Sequence, residues 1–544
     1  MDNYEISTVL SSYAKLMDLH QGNDFKIKAL NNAAFTLKKM IEPLADIPKE
    51  NWTQVRGIGK TVVGNIAELY DTGEIKDLNE LMEKTPPGVI DILKIKGLGP
   101  KKARVIWLDL EIESLDELYN ACRENRLVEA KGFGAKTQED IIKNIEFLLA
   151  SSGHFHYARI HDFVMDLMSK LNEDMPEERF ELVGEMARKC NTIEQIDVLS
   201  TASPDEFGQL LNTYGFESSL NGLYKNDAGI KVMLHYSSEE EFDLNDFILS
   251  AAPAHLELIG FEEMEFETEE EVYASREYPE IPLVMREGLN ELNWIKQYEP
   301  EDLIEFEDIK GCLHNHSTYS DGLHSLKDMA GACVKMGLEY FGICDHSQSA
   351  FYANGLKPDR VEEQWAEINE INAKTDKIKI FKGIESDILN DGRLDYEPEI
   401  LKGFDFVVAS VHSNLKMDEK TATERLIKAI ENPFTRILGH PTGRLLLMRA
   451  GYSINHIKVI DACSANNVVI ELNAHPYRLD MDWRYIYEAM EKGVMISINP
   501  DAHQTEGLLD MKWGVCSAQK GGLTKGMTLN AMDLNTFENW IISK

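Results

Sequence analysis

The chain has 544 residues, 43% of them hydrophobic and 27% charged, a soluble globular balance with room for about three domains. No apolar run approaches the roughly 20 residues that span a bilayer, the opening MDNYEISTVL has no basic-then-apolar leader, and seven scattered cysteines form no C-x-x-C pair, so membrane spans and a disulfide framework are excluded and a cytoplasmic protein is expected. Of the net charge of −37, most sits in residues 151–310, with 11 Lys/Arg against 37 Asp/Glu; residues 1–150 carry 20 against 24, so nucleic acid cannot be held by a broad basic field.

Residues 1–150 read as helical, with Ile27, Leu30, Ala34, Leu37 and Ile41 spaced by three and four. A short pattern recurs three times there: Val55-Arg56-Gly57-Ile58-Gly59-Lys60, Ile95-Lys96-Gly97-Leu98-Gly99-Pro100-Lys101-Lys102, and Ala130-Lys131-Gly132-Phe133-Gly134-Ala135-Lys136. One copy is compatible with any tight turn between packed helices. Three copies with flanking lysines point to a shared task. The glycines let the backbone turn and approach a ligand closely. The helix that follows presents unpaired N–H groups to a phosphate, and Lys60, Lys101, Lys102 and Lys136 add charge. The pattern resembles the helix-hairpin-helix motif, which implies DNA as a partner, gripped by its backbone without reading sequence.

Residues 151–300 read as mixed α/β, with strands expected at 180–184, 196–201 and 229–235. The stretch from 262 to 308, with Glu262, Glu263, Glu265, Glu267, Glu269, Glu270 and Glu271, reads as a solvated acidic end of this domain and a linker. Residues 309–544 alternate short apolar strands (341–344, 378–382, 406–410, 436–438, 468–472, 495–498) with amphipathic helices. That alternation predicts a parallel sheet with right-handed crossovers and, at six or seven repeats, a (β/α) barrel.

Nine potential ligands mark the ends of those strands: His314, His316, Asp321, His346, Glu385, His412, His440, Asp501 and His503. Imidazoles with carboxylates and without clustered thiolates suit zinc, manganese or iron. Nine are too many for one ion and suffice for two or three that share a bridging group. Such a cluster polarises a phosphoryl oxygen and activates water, so a phosphate ester is the natural substrate. His20, His154, His156, His161, His235, His255, His324, His456 and His475 read as structural or surface residues.

The segments 313–322 (LHNHSTYSDG), 344–347 (CDHS), 383–395 (GIESDILNDGRLD), 409–413 (ASVHS), 438–444 (LGHPTGR) and 499–503 (NPDAH) resemble the PHP (polymerase and histidinol phosphatase) domain. The resemblance implies a distorted (β/α)7 barrel with three divalent ions, manganese being favoured for activity. It implies His314, His316, Glu385 and Asp501 around one ion. Glu385 would bridge to a second ion completed by His412 and His440, and Asp321, His346 and His503 would serve the third. Glu385, His316 and Asp501 are expected to carry catalysis.

The order of parts, from helix-hairpin-helix copies through a mixed α/β domain to a PHP domain, resembles bacterial family X DNA polymerase, whose PHP domain is a metal-dependent 3′–5′ exonuclease. Where that family has Gly-Ser, Arg-Arg, Asp-x-Asp and a later Asp, this chain has Gly184-Glu185, Ala187-Arg188, Gln195-Ile196-Asp197 and Met233, and a further Gly-Ser is Ala251-Ala252. Two-metal nucleotidyl transfer needs several carboxylates. DNA synthesis is therefore expected to be absent or very weak.

The expected domains are a helical DNA-binding domain (1–150), a degenerate nucleotidyltransferase-like palm with its linker (151–300) and a PHP phosphoesterase (309–544). The expected function is DNA 3′-end trimming in repair, by a monomer. The rivals are a phosphatase of small monoesters and a non-enzymatic DNA-repair adaptor. Arg444, Arg478 and Lys382 are candidate phosphate partners.

Overall fold

The computed structural model describes residues 3–543 except 41–43, 56, 96, 129, 131, 151–152, 220–221, 262–265, 267, 448 and 450. Ile41, Arg56, Lys96, Lys131, Glu262, Glu263, Glu265 and Glu267 thus lie outside the described residues. The chain divides into two compact units, Met1–Glu146 and Phe147–Lys544. No helix among the described residues is long and apolar enough to cross a membrane.

The first unit is helical. Its helix Asp24–Lys39 starts at Asn23, whose side chain accepts from the Phe25 and Lys26 backbone N–H groups. Ile27, Leu30, Ala34 and Leu37 on this helix are all buried, as their spacing predicts. The helices Lys60–Thr72, Pro100–Arg104 and Ala135–Ala150 each follow one of the Gly-apolar-Gly copies.

Among the described residues the second unit holds a two-stranded antiparallel ribbon, Phe155–His156 against Thr192–Ile193, and two larger sheets. The smaller of these two contains β1 (Phe180–Val183), β2 (Ile196–Ser200), β3 (Phe216–Ser218), β4 (Leu223–Asn226) and β5 (Lys231–Tyr236), in the order β1-β2-β5-β4-β3. Only the β2–β5 pair is parallel. The strand expected from residue 229 begins two residues later. Gly229 has φ +83° and turns the chain back, its N–H bonding to the Asn226 carbonyl.

The stretch expected to be a solvated linker is instead built into a core. Val272, Tyr273, Ile281, Met285 and Trp294 are buried together, while Glu270 and Glu280 stay at the surface. The apolar residues between the acids, not the acids, decide the outcome.

The larger sheet has seven parallel strands in chain order: β6 (Gly311–Cys312), β7 (Tyr340–Ile343), β8 (Lys379–Asp387), β9 (Phe406–Ser410), β10 (Thr435–Leu438), β11 (Val469–Asn473) and β12 (Ile496–Asn499). A parallel bridge between Asn315 and Ala502, with the His316 N–H on the Ala502 carbonyl at 2.9 Å, brings its two edges together. The sheet is a nearly closed barrel.

Residues alternate between two clusters. Val407 and Ala409 pack with the surrounding helices. Phe406 and Val408 join Leu313, Tyr340, Phe381, Ile437 and Val469. Phe537, from the last helix (Leu534–Ile542), is fully buried in that second cluster and stacks on Tyr340 at 4.4 Å. The helix stops the end of the barrel near the strand starts, leaving the strand C-termini for function.

The smaller-sheet region and the barrel are joined inside the second unit. Arg188 and Lys520 both pair with Glu287, and Lys520 Nζ also donates to the Arg188 carbonyl at 3.0 Å. His156 Nε2 lies 3.0 Å from the Leu446 carbonyl, and its ring packs on Tyr477 at 4.1 Å.

Candidate metal centre and palm site

All nine expected ligands converge at the C-terminal mouth of the barrel, eight within or just after a strand and Asp321 in the loop that follows His316. His314 and His316 follow β6, His346 follows β7, Glu385 lies in β8, His412 follows β9, His440 follows β10, and Asp501 and His503 follow β12. Three overlapping groups form: His316, Asp321, His346 and His503; His314, His316 and Asp501; and His346, Glu385 and His412.

Glu385 is central. Its Oε1 lies 3.0 Å from His440 Nε2, 3.1 Å from His412 Nε2 and 3.4 Å from His314 Nε2. Its Oε2 lies 3.0 Å from His346 Nδ1 and 3.6 Å from His316 Nε2. Asp321 reaches His503 Nε2 at 3.5 Å and His346 Nε2 at 3.6 Å, and Asp501 reaches His316 Nε2 at 2.9 Å and His314 Nε2 at 3.7 Å.

These separations fit shared cations. Two ligand atoms each about 2.1 Å from one ion stand about 3.0 Å apart in an octahedral site and about 3.4 Å apart in a tetrahedral one. The orphaned atoms agree. His314 Nε2, His316 Nδ1, both His346 nitrogens and Glu385 Oε2 are buried without a hydrogen-bond partner. Such burial is costly unless something satisfies the lone pairs.

The backbone is shaped for this. Asp501 sits at φ +53°, a left-handed conformation that Asp tolerates better than most residues and that commonly marks functional sites. Gly439 has no room for a side chain: a Cβ there would lie 2.3 Å from Ser410 Oγ and 2.8 Å from Val408. That close approach lets the His440 N–H reach Glu471 Oε2 at 2.9 Å.

Burial disfavours charge on His314 and His412, yet Glu471 and Glu385 beside the first and Glu385 and Asp387 beside the second hold both well above the usual imidazole value. Burial disfavours a charged Glu385, yet His412, His314 and His346 hold its pKa well below the usual range. For Asp321, burial is likewise outweighed by His346 and His503, lowering it to about 2. His316 is pushed down to about 4 by burial and by His503 and His346 beside it, which favours the neutral, ligating form.

Sequence reasoning missed the residues behind the ligands. Glu471, fully buried in β11, accepts from His314 Nδ1 at 2.7 Å and from Asn499 Nδ2 at 3.2 Å. Asp387 pairs with His412 Nδ1, and Asn473 Nδ2 donates to Asp501 Oδ2 at 3.0 Å. Asp345 takes Ser317 N at 2.7 Å and Ser320 N at 3.2 Å, fixing the loop between His316 and Asp321. The one available signal was a carboxylate in an apolar strand, as in Val469-Ile470-Glu471-Leu472.

The three candidate phosphate partners separate. Arg478 is buried with Nε 3.9 Å from Asp501 Oδ2, at the centre. Arg444 is committed to Asp482 and to the Arg478 and Leu479 carbonyls. Lys382 lies over the Trp365 ring at 5.8 Å on the outer helix Pro358–Lys374, away from the mouth.

In the smaller sheet, Asp197 and Met233 are direct neighbours on β2 and β5. Asp197 Oδ1 is taken by Gln195 Nε2 at 2.8 Å and by His235 Nε2 at 2.8 Å. Arg188, instead of facing a nucleotide, is buried against Glu287 and donates to the Ser250 carbonyl at 3.0 Å. Ala251 and Ala252 are buried, with the Ala252 N–H on the Arg286 carbonyl.

In the helical unit the three copies share one geometry. Gly57, Gly97 and Gly132 have φ +94°, +90° and +95°. The next apolar residue, Ile58, Leu98 or Phe133, donates its N–H to the carbonyl three residues back in each case. A Cβ at Gly59, Gly99 or Gly134 would meet nothing within 4 Å, so these turns are open to an approaching ligand. The helices beginning at Lys60 and Pro100 have no side-chain cap. Lys60, Lys101 and Lys136 are exposed and Lys102 is half-buried over the Phe133 ring.

Three family descriptions match the chain: a helix-hairpin-helix domain at residues 1–75, a SAM-like helix-hairpin-helix tandem at 89–146 and a PHP domain at 313–475. The chain is 33% identical to the DNA polymerase/3′-5′ exonuclease PolX of Bacillus subtilis, over 99% of both chains. It is 26% identical to a probable phosphatase of Thermoanaerobacter sp. (strain X514), over 42% of this chain and 94% of that one. Histidinol phosphate phosphatase from Lactococcus lactis, solved with zinc, L-histidinol and phosphate, aligns at 19% identity and a TM-score of 0.32, covering 39% of this chain and 94% of that chain.

Proposed function

Because this chain belongs to the bacterial PolX family of DNA polymerase/3′-5′ exonucleases, we propose that it is a DNA-binding, metal-dependent 3′–5′ exonuclease that trims 3′ ends in DNA repair and makes little or no DNA. The observation that carries this reading is the contrast between its two centres. The barrel keeps nine converging ligands with buried orphan atoms. The palm keeps Asp197 alone, already bonded by Gln195 and His235. Gln195 is a neutral, weak ligand and Met233 has no hard donor for magnesium.

In this reading residues 1–150 hold DNA, 151–300 form the degenerate palm and 309–544 perform hydrolysis, in the cytoplasm and as a monomer. Gly57, Gly59, Lys60, Gly97, Gly99, Lys101, Lys102, Gly132, Gly134 and Lys136 grip phosphates through backbone N–H groups and ammonium charge. His314, His316, Asp321, His346, Glu385, His412, His440, Asp501 and His503 hold three divalent ions, with manganese the preferred metal. When bound, such ions would supply Lewis-acid stabilisation of a phosphoryl group and a more acidic water.

The chain's own side chains do the rest. Glu471 and Asp387 fix the tautomers of His314 and His412, leaving each Nε2 directed at Glu385. Asn473 and Arg478 hold the outer oxygen of Asp501. Arg478 is the one cationic side chain of the three candidates placed to share the charge of a bound phosphate.

The test is a labelled primer–template with manganese, with and without nucleotides. The primer should shorten in both, and His316→Ala should abolish shortening. Extension, or shortening that survives His316→Ala, would reject the reading. Activity confined to a small aryl phosphate would favour the monoesterase reading, against which three DNA-gripping turns weigh.

A further inference from the structure

The loop between His346 and Leu356 braces Asp387 behind His412 through Ser347 and Ser349, and it also projects an aromatic ring that this bracing does not use. Both its ends are anchored at one ligand. The Leu356 N–H bonds to the His346 carbonyl at 2.8 Å, and Ser347 bridges to Leu356. Ser349 fastens the rising limb, donating from N to Asp395 Oδ2 and from Oγ to Asp387 Oδ2, each at 2.7 Å. Ala353 N and Gly355 N both return to the Ala350 carbonyl at 3.0 Å. Arg360 ties the falling limb, bonding the Asn354 and Tyr319 carbonyls.

At the tip of this fixed loop Phe351 is 84% exposed, while its neighbour Tyr352 lies 6.1 Å from the His346 ring. Leu323, on the adjoining loop after Asp321, is 53% exposed and its N–H bonds the carbonyl of His503 at 2.7 Å. Large apolar side chains held in water beside a charged centre gain nothing for folding. Their place is explained by an occupant that is flat and apolar on its face and anionic beside it. A nucleotide has that chemistry, and a small phosphate monoester need not.

We infer that Phe351 is a base-stacking residue: it receives the base of the nucleotide at the 3′ end while the adjoining phosphodiester enters the metal centre. The inference rests on the nuclease reading and adds to it a residue outside the ligand set that recognises the terminal base.

The test uses the full-length, manganese-loaded protein and two single-stranded oligonucleotides that differ only in whether the 3′-terminal nucleotide carries its base. Wild type should favour the base-bearing end in kcat/KM by about tenfold or more, the scale of one base–aromatic stack. Phe351→Ala and Phe351→Leu should bring the ratio near one, and Phe351→Trp should keep it. The ratio is taken within each variant, so a loss of folded protein cancels. A ratio near one in wild type, or an unchanged ratio in Phe351→Ala and Phe351→Leu, overturns the inference while leaving the nuclease reading standing. A wild type that shortens neither oligonucleotide yet hydrolyses an aryl phosphate overturns the nuclease reading itself.

Discussion

Replacing Glu471 with Gln tests whether the residues behind the ligands set metal affinity. Glu471 is fully buried and accepts from His314 Nδ1, the His440 backbone N–H and Asn499 Nδ2 at 2.7, 2.9 and 3.2 Å. Glutamine keeps the volume and one acceptor oxygen, so the His440 bond survives. It removes the charge and turns an NH2 toward groups that are themselves donors. A charge-assisted hydrogen bond contributes about 1–2 kcal/mol more than a neutral one. That predicts about five- to thirtyfold weaker binding of the ion that His314 helps hold, overlapping the range expected for such partners. Calorimetric titration of manganese into chelator-stripped protein, with metal content measured per chain, should show one site weakened and the others near wild type. If every site keeps its wild-type affinity, Glu471 does not orient His314 and the argument fails.

Stripping divalent ions should abolish nuclease activity and lower the unfolding temperature by several degrees, with both restored by manganese, because ions that bind only the native state stabilise it; an unchanged melting curve would count against a built metal centre. Lys60→Glu/Lys101→Glu/Lys136→Glu should weaken duplex binding and reduce the slope of log affinity against log salt by about 3, one unit for each phosphate no longer neutralised; an unchanged slope would move the DNA grip elsewhere. His156 is held down to about 4, chiefly by burial, so the folded protein resists its protonation. The unfolded chain takes up that proton first, so this contribution to stability is complete above pH 6.5 and is lost as pH falls toward 4. The loss is about 2 kcal/mol by pH 5. Denaturant melts should show it in wild type, reduced in His156→Phe; equal acid sensitivity in both would refute the assignment.

The convergence of the candidate set was legible because most of its members follow a strand end, where local signals coincide: an apolar run stops and His-x-His or Asp-x-His begins. Barrel strands were placed within a residue or two at most ends, although β8 runs on to Asp387, since its continuation Glu385-Ser386-Asp387 is polar and serves the site. The first barrel strand, Gly311–Cys312, is too short to leave a periodic signal. Glu471, Asp387 and Asn473 were not legible, because their partners come from other strands and only closure brings them together. The same holds for Arg188, whose expected role belonged to a nucleotide site and whose observed partner is Glu287, far along the chain. The acidic stretch misled because charge counts describe a segment's surface, while Trp294 and Tyr273 decide whether it folds.

Lys520 lies in the barrel's helix Met511–Lys520, and its side chain is 2% exposed; its counter-charge, Glu287, comes from the palm's side of the chain and is shared with Arg188. A barrel cut free at residue 309 would inherit an ammonium with no carboxylate, and the loop at Leu446 would lose the imidazole that braces it. The cut would also remove Trp294, whose indole N–H donates to the Gly522 carbonyl at 2.7 Å, and expose the barrel surface it covers. The smaller-sheet region is therefore a keystone of the barrel's flank: shedding it forfeits these bonds and the apolar surface they close.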